Sequence, residues 1–204
     1  PLDEEPTTPE PAAPATPVVR GELTEPEKMV EFDSLEDLTE KLERDMATDP
    51  KLEGVLKREG YWHDGRPMLP VYASAFTNEL TGVSYVPTQR FIDEQNENFD
   101  KNESRSLTLA HEANIAVANR LENGSDEDVE FYDAIVSSTE EQAEGLVSDA
   151  VKPGTVEYYN RIKDDDGINT GILGREIVAR ELALQALAAK GIEPATPAAT
   201  PAAP

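Results

Sequence analysis

The chain contains no cysteine. Disulfides and thiolate metal centres are therefore excluded. Cations are scarce as well: 18 Lys and Arg stand against 42 Asp and Glu, a formal net charge of -24. Phosphate-binding stripes need Lys and Arg, so direct binding of nucleic acid or of an anionic membrane surface is not expected. Histidine is limited to His63 and His111, and Trp62 is the single tryptophan. Aromatics make up 6% of the residues, and much of the apolar content is Ala, which buries little area. A thin core of modest intrinsic stability follows, one that an assembly interface would supplement. No apolar run approaches the roughly 20 residues that span a bilayer. The N-terminal segment shows neither the basic nor the apolar region of a secretory leader. The expected location is a virion or the cytoplasm of a host cell, without secretion by a signal peptide.

What the chain does have is a pair of similar ends. Residues 1–17 (PLDEEPTTPEPAAPATP) and 194–204 (PATPAATPAAP) are low-complexity Pro/Ala/Thr text. Proline removes backbone donors and biases such segments toward extended, polyproline-II-like paths. They read as an N-terminal and a C-terminal arm flanking one acidic body, 18–193, of ordinary single-domain size. A body this negative is attracted to basic proteins or to basic grooves. A salt-adapted surface is the plainer explanation of the same excess.

Within the body, apolar residues recur at helical spacing. Leu35, Leu38, Leu42 and Met46 form one stripe behind the N-cap candidate Ser34, which predicts a helix over 34–47. The same reasoning places helices at 50–59, 88–99, 104–122, 126–137, 139–151, 155–163 and 172–190. The boundary near 138 rests on a capping-box pattern, Ser138 to Glu141. Residues 18–32, broken by Gly21 and Pro26, read as a connector. The segment 60–87 differs, with Tyr61, Trp62, Tyr72, Phe76 and Tyr85 punctuated by prolines. Partial alternation over 69–76 and β-branched residues over 82–86, with Asn78–Gly82 between them, predict a β-hairpin. Trp62-His63-Asp64-Gly65-Arg66-Pro67 reads as an ordered turn. The fold class is mainly α: a helical bundle-like body, one small β-hairpin and extended Pro/Ala-rich termini.

No catalytic pattern is complete. His111-Glu112 matches the first half of a His-Glu-x-x-His zinc helix, but Ile115 stands where the second His is required. Asp164, Asp165, Asp166 and Gly167 suggest a calcium loop, yet Ile162 and Leu173 occupy the positions that need acids. The glycines of 167–174 lack the Lys-Ser/Thr of a P-loop. Asp64 and Glu79 are the best-placed carboxylate pair for hydrolysis, beside aromatic residues. No metal or cofactor is assigned.

The more informative stretch is 121–151. It holds ten acids and no Lys or Arg. One reading is a solvated helical face; the other is a docking surface for a basic partner, through Asp126, Glu127, Asp128, Glu130, Asp133, Glu140 and Glu141. Trp62, Arg66, Tyr72 and Tyr85 are candidate anchors in the aromatic segment, which otherwise forms core. The functional expectation is a non-enzymatic structural or assembly protein of a large complex, most concretely a viral or phage particle component (minor capsid, internal, scaffold or head–tail accessory protein). It would be an oligomer or part of a hetero-complex, touching basic surfaces or neighbouring subunits. A soluble acidic adaptor or inhibitor that docks on a basic protein is the second reading, and a carboxylate-based hydrolase the third.

Overall fold

A computed structural model describes residues 23–69, 75–95, 104–146, 150–164 and 170–193. Both Pro/Ala-rich arms, Tyr72 and the Asp165–Asn169 loop lie outside the described residues. Among those described, seven helices and two small sheets follow the order β1 (Lys28–Phe32), α1 (Leu35–Thr48), α2 (Lys51–Arg58), β2 (Trp62–His63), β3 (Arg66–Pro67), β4 (Phe76–Asn78), β5 (Val83–Pro87), α3 (Gln89–Gln95), α4 (Arg105–Glu122), α5 (Asp126–Ala143), α6 (Pro153–Ile162) and α7 (Thr170–Ala189). The chain is mainly α, as its periodicity predicts.

Local chemistry fixes these boundaries. The Ser34 side chain accepts from Asp37 N at 3.0 Å and starts α1. Helix α2 stops because Gly60 adopts φ 80°, which lets Tyr61 N donate back to Leu56 O at 2.7 Å. In the 62–67 turn, Asp64 (φ 49°) and Gly65 (φ 83°) sit left-handed between β2 and β3, as an Asp-Gly hairpin turn requires. The predicted hairpin is β4–β5, paired from Phe76↔Tyr85 to Asn78↔Val83. Asn78 shapes its loop: Oδ1 accepts from Leu80 N at 3.0 Å, and its carbonyl accepts from Gly82 N at 2.8 Å.

Three elements depart from the sequence pattern. The connector contains strand β1, which pairs in parallel with β5 and completes a sheet of order β1-β5-β4. Its alternation is too short and too charged (KMVEF) to stand out alone. The hairpin's first strand begins at Phe76 rather than Leu69, while 70–74 lie outside the described residues. The helices expected at 126–137 and 139–151 are one helix up to Ala143. Thr139 does not start a new helix: it is fully buried and its hydroxyl donates to Ile135 O at 2.7 Å within the continuing turn.

Two layers result. Phe32, Leu38, Leu42, Leu52, Leu56, Tyr61, Phe76, Tyr85 and Phe91 form one core, in which the sheet carries α1, α2 and α3. The second core is helical: α4 packs most extensively on α7, flanked by α5 and α6, around residues such as Ala118, Leu121, Ile135, Val178 and Leu182. Ala75, Val86 and Leu109 join the sheet to α4. Helix α7 is buried on every side from Ile177 to Ala183, so its polar residues there must find partners inside. Glu181, 1% exposed, accepts from Lys152 N at 2.8 Å and Thr155 Oγ1 at 2.7 Å. It anchors the start of α6, whose N-cap residue, Lys152, makes no side-chain cap bond.

Candidate functional site

The first candidate is the outer face of α5. Ser125 opens the helix with a reciprocal capping box to Asp128. Tyr132, Ile135 and Thr139 face inward. The opposite face exposes Asp126, Glu127, Glu130, Asp133, Glu140 and Glu141, at helical spacing, while Asp128 is half-buried. Asp126, Glu130, Asp133, Glu140 and Glu141 pair with no Lys, Arg or His among the described residues. From Asp126 to Glu141 the face runs about 22 Å along the axis. Acids suit the first turn, where they complement the helix dipole. At the last turn, which has no basic residue, Glu140 and Glu141 oppose it.

The aromatic anchors separate. Trp62 is half-buried, with Lys57 Nζ 4.8 Å from its ring centroid. Arg66 is exposed and lies 3.2 Å from Glu36 and 3.6 Å from Glu43. Tyr85 is 2% exposed, stacks near Phe76 at 5.9 Å between centroids and donates its hydroxyl to Asp45 Oδ2 at 2.5 Å. It belongs to the core and offers no surface contact. Burial and the neighbouring Asp45 carboxylate push its phenol above the usual range. Tyr72 lies outside the described residues.

The second candidate was only partly visible in the sequence. A cleft between the two layers is lined by Glu59 after α2, Thr77 on β4, Glu79 in the hairpin loop, Glu112 on α4, and Arg175 and Glu176 on α7. A water centre has about 20 Å³ of freedom there, which suits a single water and is far below the size of an organic ligand. The Thr77 hydroxyl donates to Glu112 Oε2 at 2.6 Å. Arg175 bonds Glu79 and lies 3.1 Å from Glu122 Oε2, so it ties α7 to both the hairpin and α4. Glu176 Oε2 accepts from Tyr158 Oη at 2.8 Å and has His111 Nε2 at 2.9 Å. Burial opposes its charge, but these two donors and the nearby Arg175 hold its carboxyl below the usual range. Glu59 goes the other way. Burial, and then the Glu79 charge, outweigh the bond from Arg58 Nη2 at 2.8 Å and push its carboxyl up to about 7.

Of the residues weighed for chemistry, Glu79, His111 and Glu112 meet at or behind this cleft. Asp64, 88% exposed beside His63, is not part of it, so the proposed Asp64–Glu79 pair occupies two separate environments. Among the described residues no group of three or more His, Asp or Glu side chains is placed to hold a metal ion, and no helix is long and apolar enough to cross a membrane. Glu59, Arg175 and Glu176 were not anticipated. The available signal was a helix rich in Leu, Ile and Ala that also carries Arg175, Glu176, Arg180 and Glu181 without a polar face on which to place them. Comparison with protein-family models, with curated proteins and with solved structures finds no match to this chain.

Proposed function

We propose that this chain is a non-enzymatic structural or assembly protein of a large complex, most concretely a viral or phage particle component, and that it docks through the outer face of α5 on a basic surface of a neighbouring subunit. The observation that carries the reading is the row of unpaired carboxylates at Asp126, Glu130, Asp133, Glu140 and Glu141. Natural surfaces intersperse both signs, which lowers self-repulsion. A single-sign face of this length gives that up, and it gains long-range attraction and correct orientation toward a positive partner. Glu140 and Glu141 oppose the helix dipole at the last turn, so they add to the acidic face at the expense of the helix.

The test combines full-length protein with a variant carrying Glu130→Lys, Asp133→Lys and Glu141→Lys, all at exposed positions. Light scattering and mass spectrometry of the purified native complex should find the chain at a fixed stoichiometry. The variant should keep its circular dichroism and lose incorporation. A lone monomer without companions, or a variant that assembles as well as the parent, would refute the docking face. Salt-sensitive one-to-one binding to a single basic protein would instead select the adaptor reading, which the same carboxylates support.

A further inference from the structure

The cleft is rich in carboxyl groups, and it lies where the two layers meet. Among the described residues, four carboxyl groups line it, Glu59, Glu79, Glu112 and Glu176, with Arg175 as the lining cation. Each layer contributes. Arg58 and Glu59 come from the end of α2, Glu79 from the hairpin loop, Glu112 from α4, and Arg175 and Glu176 from α7. Behind them, Glu122 shares Arg175, and His111 supports Glu176. Each of the four carboxyls has a close donor: Arg58 on Glu59, Arg175 on Glu79, Thr77 on Glu112, and Tyr158 and His111 on Glu176. The Arg58 guanidinium is 50% exposed and also lies 3.7 Å from Glu79. Glu59 itself is 6% exposed.

We propose that this cleft is a protonation-controlled seam: with a proton on Glu59 the sheet layer and α7 hold together across Arg175, and loss of that proton loosens the seam. The physics is first the cost of burying a charge on Glu59 and then repulsion from Glu79, which together outweigh the attraction of Arg58 and Arg175. An ionised Glu59 shares with the Glu79 carboxyl a cleft that has room for about one water. Opening the seam hydrates Glu59 and returns it to ordinary carboxylate behaviour. The closed form therefore binds a proton more tightly than the open one, and the closed form is lost as pH rises. With a closed-state value of about 7 against an ordinary 4.5, the open fraction rises about tenfold between pH 6 and 8 and levels off above that. Nothing in this device depends on docking through α5, so the two can fail separately.

Hydrogen exchange of the full chain tests it. After correction for the intrinsic chemical rate, amides of residues 56–61, 76–79 and 172–177 should lose about tenfold in protection from pH 6 to pH 8. Amides in the centre of α5 should not change. In Glu59→Gln the seam amides should be flat across the same range. A flat wild type, or a Glu59→Gln variant as steep as the wild type, would overturn the proposal. If that variant fails to fold, carboxyl-carbon titration of Glu59 in the wild type decides. A midpoint near 7 supports the seam, and one in the ordinary carboxylate range ends it.

Discussion

Glu176 shows how one side chain can make a fold sensitive to acid. Its Oε2 takes bonds from Tyr158 Oη and His111 Nε2 at 2.8 and 2.9 Å, and these hold its carboxyl below the usual range in spite of burial. A group whose folded-state value is depressed contributes stability above its ordinary value and loses it as pH falls through the folded one. Glu176→Gln should therefore destabilise the protein by about 1–3 kcal/mol at pH 7. The gap to wild type should narrow steadily below pH 4.5, the ordinary value. Urea denaturation at pH 7, 5 and 3.5 measures this, and a gap independent of pH would remove Glu176 from the acid response. Glu59 has the opposite sign, so this residue pair bounds the stable pH range from both sides. Neither role was legible from residue type. His111-Glu112 attracted attention as half of a zinc motif, whereas its use is to support a neighbour through one ring nitrogen.

At the scale of elements, the contact between α5 and α7 turns on Gly174. A β-carbon built there would lie 2.4 Å from Tyr132 Oη. In an exposed helix interior, Gly→Ala stabilises by up to about 1 kcal/mol. Here the sign reverses, because Tyr132 is 7% exposed and has little room to withdraw. Gly174→Ala should destabilise by about 1–3 kcal/mol, and adding Tyr132→Phe should recover part of the loss. A thermal-unfolding double-mutant cycle gives that coupling directly, and strictly additive effects would show that the approach is not tight. Helical periodicity revealed both helices, since their apolar stripes are local. It did not reveal that α5 runs on past Ser138, because a capping-box pattern is also local and Thr139 is decided by burial. Strand β1 was hidden for a related reason. Its partner β5 lies more than fifty residues downstream, and a charged five-residue edge strand shows its pairing only in three dimensions.

For the whole molecule, the dominant quantity is the formal net charge of -24. That charge was fully legible, and so was the mainly α class, because both follow from composition and spacing. The layered arrangement and the cleft were not, because they arise where distant elements meet. Self-repulsion of this size favours expansion, and the unpaired carboxylates of α5 concentrate it on one element. The Debye length falls from about 30 Å at 0.01 M salt to about 10 Å at 0.1 M, so most of that repulsion is removed well below molar salt. The melting temperature should rise by several degrees between 10 and about 300 mM sodium chloride and then flatten. The variant with Glu130→Lys, Asp133→Lys and Glu141→Lys should start higher at low salt and rise less, because it lowers the net charge and breaks up the row. Calorimetry at matched pH separates this from salt adaptation, the plainer reading of an acidic surface. Adaptation requires stability to keep climbing into the molar range in wild type and variant alike. A plateau reached by a few hundred millimolar, higher and flatter for the variant at the low-salt end, assigns much of the repulsion to the acidic face of α5.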